Sequence, residues 1–266
     1  MVSDSVWLGS GRSTVFKLAK LVSGITVLVW AGMVINRLFF GGNGMYELLR
    51  PEGGIMATLI MVLIGLTVIM WSIYLSDFKG AIETEQDGIF DKVSLVLSRV
   101  AMLSIIAIEV VMLYEVVSRY VFNAPTLWAN EMSLWIASIL FLLAGVYAMQ
   151  QRSHIRIYVI YDMFPRWAKK AADTVSVALI SLFSFCLVWG GYNEALLKFT
   201  RMEKYGTAWN PPIPATVKPL ILILIVLVTL QAISNLIADW NKDDSHSPED
   251  EIDQTEIENI RKTLEK

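Results

Sequence analysis

Six long apolar stretches alternate with short polar segments along this 266-residue chain. They fall near residues 16–40, 55–76, 95–121, 127–150, 171–197 and 216–240. Each approaches or exceeds the ~20 residues that a helix needs to cross a hydrocarbon core about 30 Å thick. In lipid every backbone N–H and C=O requires an internal partner, so stretches of this length are predicted to be helical. The pattern predicts an all-α integral membrane fold, a bundle of about six transmembrane helices.

The polar segments divide the chain. Residues 77–92 are acidic and polar and set the first two spans apart from the other four. The expected organisation is an N-terminal extension over 1–94 with two helices and an acidic linker, a four-helix membrane domain over 95–240, and an acidic tail over 241–266. Gly41-Gly42-Asn43-Gly44 and Pro51-Glu52-Gly53-Gly54 punctuate the first loop. Residues 209–214 (Trp-Asn-Pro-Pro-Ile-Pro) are too rich in proline for helix and are expected to be extended. The run from Leu21 to Phe40 exceeds a typical signal h-region and lacks a clean cleavage site, so it is read as an uncleaved first span. In the tail, Ser247 can cap a helix with Pro248 at its first position and Asp250 near its third. Ile257, Ile260 and Leu264 follow at helical spacing, which predicts a short amphipathic helix; a solvated, frayed tail is the competing reading.

Charge sets the orientation. With the N-terminus inside, twelve Lys and Arg fall on inner segments and seven on outer ones, so both termini are expected to be cytoplasmic. Trp30, Trp71, Trp128, Trp167, Trp209 and Trp240 lie near span ends or in adjoining loops, where interfaces favour them. Trp135 and Trp189 sit deeper and are expected to pack between helices. The mean hydropathy of +0.53 fits a membrane protein. The net charge of −3 owes much to eight acids between Asp243 and Glu258. No basic stripe is present to neutralise phosphates, which argues against a nucleic-acid partner.

Candidate chemistry is sparse. Cys186, the single cysteine, excludes an intrachain disulfide and reads as a small apolar filler. The two histidines are His246, in the tail, and His154, between Arg152 and Arg156. No HExxH, GxSxG or phosphate-cradling glycine loop occurs. Neither a nucleophile–base set nor a metal cluster can be assembled, so the chain is read as a non-enzyme without metal or cofactor. His154, Arg156 and Asp162 are expected to order a cytoplasmic loop.

Charges within spans are costly and usually face protein or water. Glu115 and Arg119 are four residues apart and can pair on one helix face. Glu109 is deeper and lacks a local partner; it pairs with another helix, lies protonated, or meets a partner protein. The segment from Arg119 to Glu131 is the most distinctive: a short turn broken by Asn123-Ala124-Pro125 leads straight into the fourth span. Glu131 falls in that span's first turn, where the helix dipole favours a carboxylate. Trp128, Glu131 and Trp135 share one helical face, which suits contact with protein better than with lipid.

These residues resemble the small membrane subunit of TRAP (tripartite ATP-independent periplasmic) transporters, the DctQ-like family. The family pattern runs roughly R-Y-V-F-N-x-P-x-x-W-x-x-E, then a span, then H-I-R-V-D-x-x-x-D-x-x-P. Arg119 to Glu131 match its first part, and His154-Ile155-Arg156-Ile157 with Asp162 and Pro165 match its second. Tyr158 stands where the family has an Asp. Lys218-Pro219 and Gln231 in the last span are also similar. The likeness covers about residues 95–240; the first two spans and the tail lie outside it. The resemblance implies an accessory scaffold in a bacterial or archaeal inner membrane. Its implied partners are a large DctM-like membrane subunit, a periplasmic substrate-binding protein and membrane lipids. It implies import of an organic anion, a carboxylate or sulfonate, driven by a sodium gradient, with the small subunit bracing an elevator-type subunit and binding no substrate itself. Glu115, Arg119, Trp128, Glu131 and Trp135 are then structural or partner-facing residues. The competing readings are a stand-alone transporter or channel, which would use Glu109, and a membrane enzyme or its anchor.

Overall fold

The computed structural model describes residues 5–41, 54–78, 88–152 and 164–240. Among these the long regular elements are six helices: α1 (Arg12–Phe40), α2 (Gly54–Ser76), α3 (Ile89–Tyr120), α4 (Ala129–Gln150), α5 (Arg166–Thr200) and α6 (Ile213–Asp239). A 3-10 turn, Gly9–Gly11, leads into α1. Even α4, the shortest at 22 residues, is about 33 Å long at 1.5 Å per residue, enough to cross a bilayer. All six are apolar enough to do so, and the chain is a multi-pass membrane protein. The tail, with its expected amphipathic helix, and residues 153–163, with His154, Arg156 and Asp162 of the expected cytoplasmic loop, lie outside the described residues.

The helices are longer than the apolar stretches. α3 begins at Ile89 and α5 runs from Arg166 to Thr200. Hydropathy marks only the apolar part of a helix; the added first turns of α3 bond to α6, whereas those of α5 hold no buried residue. Asp91 and Ser94, which lie before the third apolar stretch, are buried members of α3. A second difference concerns the proline segment. It was expected to stay extended through Pro214, but α6 starts at Ile213 with Pro214 in its first turn. A first-turn N–H has no helical partner to lose, so proline is tolerated there.

Neighbours in space follow the order α1, α2, α3, α4, α6, α5, with a smaller contact between α3 and α6. The array is therefore open-ended. α4 is its most enclosed helix, and α1 and α5 are the least buried. Between α3, α4 and α6, Ala101, Leu143, Val146 and Leu224 form an apolar core ringed by Val100, Ile139, Leu220 and Val228. α5 leans on α6 closely enough that a Cβ on Gly191 would meet Leu222 at 3.2 Å. Lys218 of α6 also donates to Glu194 of α5 at 2.6 Å.

The α1–α2 pair is joined by polar groups. Trp71 Nε1 donates to Ser23 Oγ at 2.8 Å, and the Thr26 and Thr67 hydroxyls are 2.9 Å apart. In lipid such bonds matter because apolar surface gives no drive for helices to associate. Just past α2, Asp77 fastens the segment that precedes α1. Its Oδ1 accepts from Ser5 Oγ at 3.0 Å, Trp7 N at 2.8 Å and Leu8 N at 2.9 Å. Arg12 Nε lies 3.4 Å from Oδ2, with its guanidinium 4.1 Å from the centre of the Phe78 ring. The Phe78 carbonyl in turn accepts from Arg99 of α3 at 3.1 Å. The two N-terminal spans are thereby tied to the other four.

Burial pushes the Asp77 carboxyl up, but the Leu8 and Trp7 amides, the Ser5 hydroxyl and Arg12 together hold it below the ordinary aspartate value. A depressed pKa contributes stability that is fully present above the unfolded value, about 3.9, and is lost as pH falls through the lower folded value. Thermal unfolding in detergent is thus expected to show a loss of midpoint below about pH 4. Asp77→Asn is expected to lower the midpoint at neutral pH and to remove part of that acid step. Identical pH profiles for the two proteins would contradict this role.

Candidate functional site

The α3–α4 turn is built around one buried carboxylate. Glu115 is 3% exposed, one and a half turns before the end of α3. Its Oε1 accepts from Arg119 through Nε, at 2.9 Å, and through Nη2. Its Oε2 accepts from Thr126 through the backbone N–H, at 3.0 Å, and through the hydroxyl. The Thr126 oxygen also accepts from Ala129 N at 3.3 Å, at the start of α4. One side chain therefore joins the end of α3, the turn and the beginning of α4. Asn123 makes the turn possible: it lies at φ 51°, a left-handed conformation that asparagine tolerates. The chain can then return Ala124 N–H to the Ser118 carbonyl at 2.9 Å, closing the helix end, and Pro125 prevents α3 from continuing.

Aromatic packing completes the knot. Trp128, Ala129 and Trp209 form a buried cluster with Val111, Met132 and Trp135 against it. Trp128 packs on Tyr114 of α3 with ring centres 5.6 Å apart, and Trp135 meets Trp209 edge-on at 6.4 Å. Trp135 Nε1 donates to the Thr216 hydroxyl at 2.8 Å, and that hydroxyl donates to the Pro212 carbonyl at 3.0 Å. Glu131, partly exposed, accepts from Thr207 at 2.6 Å. The Trp128–Glu131–Trp135 face thus finds its partners within the chain, in the α5–α6 loop and the first turn of α6. Arg119 remains the exposed member, its side chain 49% accessible.

A second polar network lies at the opposite ends of the same helices. Gln231 of α6 donates to Asp91 at 2.6 Å and to Asn235 at 2.9 Å, and accepts from Ser94 of α3 at 2.9 Å. Asn235 Nδ2 donates to the Met149 carbonyl of α4 at 2.7 Å. Arg152, just past α4, grips Asp239 of α6 with two bonds, at 2.6 and 2.9 Å. Sequence reasoning singled out only Gln231 here. Thr126, Thr207, Trp209 and Thr216 were likewise not foreseen as members of the first knot, because hydroxyls and loop tryptophans carry no periodic signal.

Some expectations are corrected. Trp189 does not pack between helices; it is 78% exposed on α5 and stacks on Phe185, along a groove lined also by Val188, Tyr192 and Asn193. Cys186 is exposed on the same helix and fills no interior space. Among the described residues neither has a tertiary neighbour that encloses it, since α5 packs along α6 at the edge of the array. Glu109 is exposed and makes no hydrogen bond or ion pair within the described residues. Among those residues no three His, Cys, Asp or Glu side chains gather as a metal site would require.

α3, α4 and α6, joined near both ends by polar side chains, belong to an integral membrane component. Residues 108–242, half of the chain, match the family described as tripartite ATP-independent periplasmic transporters, DctQ component, and the chain belongs to that family. It is a transporter-component family, not an enzyme family. The match begins within α3 and takes in the whole Glu115 knot, Gln231 and the Arg152–Asp239 pair. A curated relative from Vibrio cholerae serotype O1, the C4-dicarboxylate TRAP transporter small permease protein DctQ, is 29% identical over 79 residues. That alignment spans 30% of this chain and 34% of the relative.

Glu115→Ala would leave the Thr126 amide and hydroxyl and the Arg119 guanidinium without their acceptor. A loss of about 2–4 kcal/mol in unfolding free energy is expected in detergent. Trp209→Ala, which opens a cavity in the buried cluster, is expected to cost about 3–5 kcal/mol. Reversible SDS titration of the purified chain checks both, and wild-type stability in either variant would contradict the proposed anchoring.

Proposed function

We propose that this chain is the small accessory permease subunit of a TRAP-type secondary transporter. The transporter imports an organic anion, a carboxylate or sulfonate, using a sodium gradient. The chain braces a large elevator-type DctM-like subunit and binds no substrate itself. The observation that carries this reading is the family match over 108–242, because it covers the Glu115 knot, Gln231 and the Arg152–Asp239 pair. Such locks suit a static scaffold: a moving element needs interfaces that slide, whereas these helices are crossed by directional bonds at both ends. The relative's printed name, a C4-dicarboxylate small permease protein, supports a carboxylate as cargo.

The remaining parts of the reading follow from it. A periplasmic binding protein delivers the anion, and the large subunit moves it. The protein lies in a bacterial or archaeal inner membrane with both termini cytoplasmic, as the twelve-to-seven Lys and Arg bias supports. That orientation puts the Glu115 knot on the periplasmic side and Asp77 on the cytoplasmic side. The 95–240 unit is the family scaffold, 1–94 enlarges it, and the tail from 241 docks on a cytoplasmic surface or stays solvated. Arg119 and Glu131 are the accessible members of the periplasmic knot, while His154, Arg156 and Asp162 order the cytoplasmic loop.

A stand-alone carrier or channel is the second reading, favoured by one observation, the exposed Glu109. Mild detergent extraction of tagged chain from its native membrane, with mass spectrometry of what stays bound, separates the two. A stoichiometric partner with roughly a dozen spans is expected, each span about 20 residues long. Recovery of this chain alone, from a preparation in which other known complexes survive, would reject the accessory role.

A further inference from the structure

Glu109 occupies the middle of its span. Arg99 and Arg119 lie ten residues before and ten after it on α3. At 1.5 Å per residue each is about 15 Å away, so the two arginines bracket a hydrocarbon core of about 30 Å with Glu109 at its midplane. A glutamate side chain is too short to reach either interface from that depth. Yet Glu109 is exposed and meets no polar partner among the described residues. Its exposed neighbours on the same helix, Ile105, Ile106, Val110 and Leu113, are apolar and offer it no hydrogen bond. The other acid in this half of α3, Glu115, is already engaged by Arg119 and Thr126. A carboxyl at the bilayer midplane faces a protein partner or water in nearly every known case. No water-lined cleft is formed by a single exposed helix face.

We propose that this face of α3, centred on Glu109, is the surface on which a helix of the large membrane subunit docks, presenting a hydrogen-bond donor to the carboxyl at mid-membrane. The inference rests on the accessory-subunit reading above and adds to it where the contact lies. The apolar neighbours supply close packing, and the single acid supplies register. A helix sliding by even one turn would leave the carboxyl unpaired in hydrocarbon, so the same group that fixes the register also excludes other helices. α5, whose exposed face is apolar and aromatic, is the contrasting surface suited to lipid.

The test uses the native complex, captured through a tag on the large subunit. Glu109→Leu is expected to reduce the copurified small chain at least about tenfold while its membrane level and detergent melting temperature stay unchanged. Glu109→Gln, which keeps a polar group, is expected to retain more complex than the leucine variant. A photo-crosslinking amino acid in place of Ile106 or Leu113 is expected to capture the large subunit, and the same group in place of Leu179 or Leu182 on α5 to capture lipid. Full recovery of the Leu variant, with crosslinks to the large subunit from α5 alone, would overturn the assignment. Failure of wild-type chain to copurify would instead strike at the accessory reading itself.

Discussion

Lipid gives these helices little reason to associate. Leucine facing leucine is no better sheltered than leucine facing an acyl chain, so hydrophobic burial cannot decide which helices pack together. The decision falls to polar side chains that would otherwise lie unsatisfied in a medium without water. Glu115 meets that constraint by gathering the donors of Arg119 and Thr126. Gln231 meets it by bridging Asp91, Ser94 and Asn235. The first group fixes where α3 ends and α4 begins; the second fixes how α6 lies against α3. Between them the apolar core around Leu143 and Leu224 needs only to fill space.

The layout explains why the N-terminal pair belongs to the same body although the family match begins at residue 108. Asp77 collects two backbone amides and a hydroxyl from the residues before α1, and Arg99 reaches back to Phe78. These bonds lie at the end of the array opposite the Glu115 knot, where α2 gives way to α3. Attached through α2 and α3 in this way, the N-terminal pair leaves the contacts among α3, α4 and α6 untouched. At the other margin α5 has one main neighbour, α6, and its outward aromatic residues, Phe185, Trp189 and Tyr192, are exposed.

Much of this was legible from the chain. Six spans follow from apolar runs alone, because a run of that length has a single solution in lipid. The Asn123-Ala124-Pro125 turn and the Glu115–Arg119 spacing could be read because local chemistry forces them. What could not be read is which distant groups meet. Thr207 reaches Glu131 across 76 positions, and Ser94 reaches Gln231 across 137. No period or motif encodes such pairs; they exist only once helix order is set. The polar turns of α3 before Leu95 were missed for the opposite reason: hydropathy reads Asp91 and Ser94 as loop, although both are buried by α6. Trp189 misled in the same way, since a tryptophan deep in a span can face lipid as readily as protein when its helix lies at an edge.

The most direct test of the scaffold account is transport in liposomes of defined composition. Large subunit, binding protein and an inward sodium gradient would be combined with this chain or without it, and uptake of a labelled dicarboxylate followed. The account predicts uptake only when this chain and the large subunit are both present, and none from this chain alone. Anion movement by this chain in the absence of the large subunit would contradict it and make the chain itself the carrier.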